Sequence, residues 1–174
     1  LNPKYDMRAQ LVGDDYANSN QKNYGNNDVK GPDAQHGTHV AGIIGANRTN
    51  SLGIMGVAND VSIMAIRVVP TGDERDKDVA NGIRYAVDNG AKVINMSFGK
   101  AYKWDKKVVD EAIKYAESKG VLLVHAAGND IQDNDVEENY PNKYYDSPEA
   151  EAYKLANKAK VLPDFTPAKP ISQN

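Results

Sequence analysis

KVINMSFG at residues 92–99 and VLLVHAAGN at 121–129 enclose WDKKVVDEAIKYAESKG at 104–120, and this one passage decides the fold. The two outer runs are short and apolar on both faces, as strands buried inside a sheet must be. Between them Val108, Val109, Ala112, Ile113 and Ala116 recur at helical spacing, and Gly120 supplies the stop. A strand, a helix of about four turns and a second strand read as a parallel pair joined by a helical crossover. Working outward, VSIMAIRVV at 61–69 predicts a further strand, and 76–89, ending at Gly90, a further helix. QHGTHVAGIIGA at 35–46 opens one more helix, over about 36–47. The fold class is therefore α/β, a parallel β-sheet with helices on both faces. In such sheets ligands bind beyond the carboxyl ends of the strands, which places MSFG and AAGN together.

The flanks break this rhythm. Residues 1–35 are rich in Asn, Asp and Gly and predict a polar loop or insertion leading into the core at 36–129. Residues 130–174 carry acidic residues and Pro141, Pro148, Pro163, Pro167 and Pro170, with one short helical candidate near 148–159, and read as an insertion or linker. The 174 residues, 40% hydrophobic, suffice for one domain with a core. A net charge of −3 with mixed signs offers no basic stripe, so neither nucleic acid nor a membrane surface is an expected partner. No apolar run approaches a membrane span, and residues 1–10 hold no signal-peptide core. With no cysteine there are no disulfides and no thiolate zinc sites, which leaves the compartment open. A chain that begins LNPKYD reads as a piece of a longer one.

The chemistry concentrates in QHGTHVAGIIGA. Glycine weakens a helix interior by about 0.5–1 kcal/mol relative to alanine, so folding alone gives no reason for Gly37 and Gly42. One reading makes His36, His39 and His125 zinc ligands, although the familiar zinc helix spaces its histidines four apart around a glutamate. Another makes His36 a helix cap.

HGTHVAGIIGA, LGIMGVAND with VSIMAIRVV, VINMSFG and VLLVHAAGND resemble, in order, four blocks of the subtilisin-like serine proteases, over about residues 35–130. The resemblance implies a subtilisin-like fold, here incomplete, and makes His36 the general base that takes the nucleophile's proton and returns it to the leaving amine. It makes Asn129 the oxyanion donor, and Ser97, Phe98 and Gly99 the edge on which an extended peptide substrate pairs. Ala126, Ala127 and Gly128 then line the opposite side of the pocket for the residue before the scissile bond. His39 and His125 are expected to be structural, and Thr38 to satisfy backbone donors in the first helical turn. NRTNSLGIMG resembles the family's calcium loop, with Asn50 as side-chain ligand, and with no acidic partner nearby it reads equally as a structural calcium site or as a plain turn; the chemistry requires no cofactor.

The family's chain order is Asp, His, Ser, and neither end is found. Asp6, Asp14, Asp15, Asp28 and Asp33 lie in polar sequence, and Ser147 and Ser172 lack the helix-opening context of a nucleophile. The expectation is a piece of a secreted or cell-envelope bacterial endopeptidase, inactive alone, acting as a whole on protein or peptide substrates. The alternative is a catalytically inactive relative that binds peptides. Exposed sheet edges are expected to promote self-association.

Overall fold

The computed structural model describes residues 6–70, 74–134, 137–142 and 148. Its centre is the passage that decides the fold: β1 (Val93–Met96), α4 (Lys106–Ser118) and β2 (Leu122–His125). The strands pair in parallel, Val93 with Leu122 through Met96 with His125. Before them come α1 (Arg8–Val12), α2 (Gln35–Gly45) and α3 (Asp76–Asp88).

α3 packs on α4, and the pair covers one face of the sheet. Val79, Ala80 and Ile83 of α3 meet Val109, Ala112 and Ala116 of α4, with Met96 and Val121 beneath. Alanine at the closest points lets the two helices approach, and the surrounding β-branched side chains fill the interface. Both helices end before a glycine in a left-handed conformation, Gly90 (φ 86°) and Gly120 (φ 69°), the stops expected there. Along the strands Ile94, Leu123 and Met96 turn toward the helices, while Val93 (56% exposed) and Leu122 (60%) face outward. The parallel α/β arrangement is as expected and incomplete, because among the described residues α3 and α4 cover only one face.

Residues 61–69 correct the expectation of a third strand: they form no strand, and no ladder hydrogen bond joins them to another segment among the described residues. Val68 instead rests on the core and against Gly82 of α3. Apolar composition alone does not make a strand, which also requires a partner in register, and Val61, Ile63 and Met64 stay exposed. The helical candidate at 148–159 lies, apart from Pro148, outside the described residues.

The segment after α2 returns to close that helix. Val57 N–H donates to Ile43 O at 2.9 Å, Ala58 N–H to Ile44 O at 2.8 Å and Gly56 N–H to Ala46 O at 3.0 Å, so the carbonyls left over at the helix end are satisfied. Gly56 passes so near α2 that a Cβ there would lie 2.6 Å from Gly45 C. Gly56→Ala is therefore expected to cost about 1–3 kcal/mol, because the obstructing atoms are backbone. Thermal unfolding of the intact protein checks this, and an unchanged melting temperature would show that the loop yields freely.

Residues 6–24 read as a polar loop, yet they dock on α3 through charge. Asp14, only 5% exposed, accepts from Arg75 Nη1 at 2.5 Å and pairs with Lys77, 7% exposed. Lys77 Nζ also donates to Asp15 O at 2.6 Å and to Gln21 Oε1 at 3.2 Å. Arg75 pairs with Asp6 and lies 4.5 Å above the Tyr16 ring. Burial works to raise the Asp6 carboxyl, but the Arg8 backbone N–H and the Arg75 and Arg8 guanidiniums hold it below its ordinary value. Burial keeps Asp78 above its ordinary value against the hydrogen bond from Tyr24. The Tyr24 hydroxyl is in turn pushed up by burial and by the Asp78 carboxylate.

Candidate active site

Parallel pairing in register sends both strands out of the sheet side by side. The last pair is Met96 with His125, and Ala126 N–H still donates to Met96 O at 3.1 Å. Ser97, Phe98 and Gly99 thus leave beside Ala126, Ala127 and Gly128, and the two stretches form the walls of a gap at the carboxyl end of the sheet. These six predicted residues are brought together. Phe98 is anchored edge-on to the His125 ring, centroids 6.3 Å apart. Asn95 Nδ2 donates to Ser97 Oγ at 2.8 Å, fixing the start of that wall. Burial lowers the His125 pKa, opposed by a hydrogen bond with the Phe98 backbone. This imidazole belongs to the wall's packing, as expected.

The edge at 97–99 is partly engaged by the chain itself. Gly99 N–H donates to Glu74 Oε1 at 3.2 Å, and Lys100 pairs with Tyr140 in an antiparallel bridge, N–H to O at 3.1 and 2.8 Å. An extended substrate on this edge would take the Gly99 N–H from Glu74. Two asparagines beyond the strands bind the other wall: Asn134 Nδ2 donates to Ala127 O at 2.8 Å and Asn139 Nδ2 to Ala126 O at 3.1 Å. Sequence reasoning missed both, since nothing local marks an asparagine that acts on a strand seven or thirteen residues before it.

Asn129 follows Gly128 at the mouth of the gap, exposed, its side-chain amide without a hydrogen bond among the described residues. His36 lies in the first turn of α2, exposed and likewise without a side-chain partner among the described residues. It does not cap the helix. Asp33 Oδ1 takes the Gln35 N–H at 2.8 Å, a role expected of Thr38, whose exposed hydroxyl has no hydrogen bond among the described residues. His39 is exposed as well, with no side-chain partner among the described residues to support a structural role. His36, His39 and His125 do not converge, and no metal-ligating cluster occurs among the described residues.

Asn50 is engaged within its own loop. Its Oδ1 accepts the Leu52 N–H at 3.0 Å, closing a local turn, and the Arg48 guanidinium donates to Gly56 O at 2.7 Å. The loop holds itself with its own donors, and no carboxylate cluster joins it among the described residues.

The carboxyl ends of parallel strands are where α/β proteins bind their ligands, and here one stretch leaves as a strand edge and the other as small residues. A model of the Peptidase_S8 family, the subtilase family, matches residues 2–166, and the chain belongs to that family. It is 44% identical to thermitase of Thermoactinomyces vulgaris over 110 residues, covering 63% of this chain and 38% of thermitase. It is 37% identical to the major intracellular serine protease of Bacillus subtilis (strain 168) over 148 residues, 80% of this chain and 43% of that protein. Subtilisin E of the same organism is 40% identical over 115 residues, 64% of this chain and 29% of subtilisin E. The chain spans less than half the length of these relatives.

Proposed function

We propose that these residues form part of the catalytic domain of a secreted or cell-envelope serine endopeptidase of the subtilisin type. Family membership and relatives named as serine proteases support the reaction class. The observation that carries the assignment to this gap is the register of β1 and β2, which sets 97–99 beside 126–128 with Asn129 just beyond. A substrate chain lies along Ser97–Gly99, and the side chain before the scissile bond enters the gap. The nucleophilic serine and the aspartate that orients the base are assigned to no residue of this chain. When the serine oxygen attacks the carbonyl, its proton passes to His36, and the carbonyl oxygen becomes an oxyanion that Asn129 Nδ2 stabilises. His36 then protonates the departing amine, leaving an acyl-enzyme that water hydrolyses. The acyl transfer calls for no cofactor. An extracellular relative, the minor protease Epr of B. subtilis, supports export, while an intracellular relative shows that the family occupies both compartments.

Asn129→Ala tests the assignment in the intact protease. Its kcat is expected to fall by about 100- to 1,000-fold with little change in KM, the size known for the oxyanion asparagine of subtilisin itself. A change confined to KM would sink the oxyanion role. The 174 residues alone are expected to leave casein uncut; cleavage abolished by a serine-directed inhibitor would place a nucleophile within them. Peptide binding by an intact protein that cuts nothing would favour the inactive peptide-binding relative.

A further inference from the structure

The chain leaves β1 at Met96 and enters α4 at Lys106, and the irregular stretch between them carries the edge at 97–99. One carboxylate holds that stretch at two points. Asp76, the first residue of α3 and only 8% exposed, pairs through Oδ1 with Lys100 Nζ at 2.6 Å. Its Oδ2 accepts the Asp105 N–H at 2.6 Å and the Trp104 N–H at 3.1 Å. The first contact stands one residue after the edge, and the second where the chain turns into α4. Lys100 Nζ also donates to Glu74 O at 3.3 Å, and the Lys100 side chain is 10% exposed. Breaking such a pair from one side is costly, because the other charge is left inside without its partner.

We infer, on the protease reading above, that Asp76 is a positioning residue: by clamping Lys100 and the backbone at 104–105 to the start of α3, it fixes the edge on which an extended substrate pairs. Strand addition needs main-chain donors and acceptors held in register with those of the incoming peptide. Beyond Met96 the sheet no longer supplies that register to the edge, since the strand has ended. Asp76 touches no group that a substrate pairing on 97–99 needs, which sets it apart from Glu74, whose carboxylate occupies the Gly99 N–H and must leave. Its influence on the reaction therefore passes through the edge and grows with the number of substrate residues that lie along it. A substrate with a single residue before the scissile bond spans little of the edge and is nearly indifferent to the clamp.

The test compares Asp76→Asn with the wild type in the intact protease, on an acetyl-tetrapeptide anilide and on an acetyl amino acid ester with the same residue before the scissile bond. Asparagine has the same shape but one acceptor oxygen, so it can serve Lys100 or the two backbone N–H groups, not both, and it offers Lys100 no charge. KM for the tetrapeptide is expected to rise about 10- to 100-fold, the scale of a small misplacement of the binding frame, with kcat nearly unchanged. KM for the ester is expected to move by less than about twofold. A folded Asp76→Asn enzyme with an unchanged KM for the tetrapeptide overturns the inference, and so does an equal loss on both substrates, which is general loosening of the fold. If Asp76→Asn does not fold, Lys100→Met carries the same comparison, because it leaves both backbone hydrogen bonds to Asp76 in place. A wild type that hydrolyses neither substrate in an inhibitor-sensitive way instead overturns the protease reading, and this inference with it.

Discussion

His36→Ala is expected to reduce kcat of the intact protease by on the order of a million-fold, the loss known for the general-base histidine of subtilisin, while leaving its melting temperature nearly unchanged. The two halves of this expectation come from different observations. The kinetic half follows from the role: without an imidazole the nucleophile keeps its proton and the amine leaves unprotonated, so both chemical steps slow. The stability half follows from the geometry. His36 is exposed in the first turn of α2 and makes no side-chain hydrogen bond among the described residues. The capping work there is done by Asp33, whose Oδ1 accepts the Gln35 N–H. Alanine is moreover a better helix former than histidine, so the substitution should move folding stability by no more than about 0.5 kcal/mol. Steady-state kinetics and a thermal melt on the same preparation separate the outcomes. Parallel loss of turnover and stability would make His36 a structural residue. Retention of full activity would remove it from the chemistry.

Local periodicity made the strand–helix–strand unit readable, and the unit holds because its partners adjoin in sequence. Val109, Ala112 and Ala116 repeat at helical spacing, and the helix they form returns the chain to pair Leu122 with Val93. The walls at 97–99 and 126–128 were readable for the same reason, being the continuations of two such strands. VSIMAIRVV shows the limit. Its apolar residues say that the run seeks a covered surface, and Val68 finds one against the α3–α4 core, but no strand partner follows from its own composition. Asn139 was opaque for a further reason. Its meaning depends on the returning segment reaching Lys100, a pairing made by backbone groups that carry no sequence signature. Asn50 stayed ambiguous in the sequence because an Asx turn and a calcium loop draw on the same residue types. The charged residues at 6–24 were legible as polar and hidden as buried, since what decides their burial lies more than fifty residues further on.

That buried cluster carries the largest stability effect expected in the chain. Asp14→Ala should destabilise the intact protein by about 3–5 kcal/mol, because it leaves Lys77 inside the fold without its counter-charge, while Arg75 keeps Asp6. Lys77 would then keep Asp15 O, Gln21 Oε1 and the Tyr24 ring 4.8 Å away, none of which carries a full charge. Removing both ends of the pair is a different matter. Asp14→Leu with Lys77→Met deletes the buried charges together, and most of the loss should return, since apolar groups of similar volume often replace a buried pair at little or no cost. Denaturant unfolding of the single and double variants measures the coupling. A single-variant loss under about 1 kcal/mol would mean that water reaches Lys77 and that the cluster is a surface one. The consequence extends to the gap, because Arg75 adjoins Glu74, whose carboxylate takes the Gly99 N–H and whose backbone carbonyl accepts Lys100 Nζ at 3.3 Å. The buried charges are thereby tied, through Arg75 and Glu74, to the strand end at Gly99 on which we propose that the substrate pairs. Because Glu74 holds the Gly99 N–H that a substrate on this edge needs, loosening the cluster is expected to lower KM for extended peptides before it touches kcat, and a raised KM would show instead that the cluster keeps the edge in place.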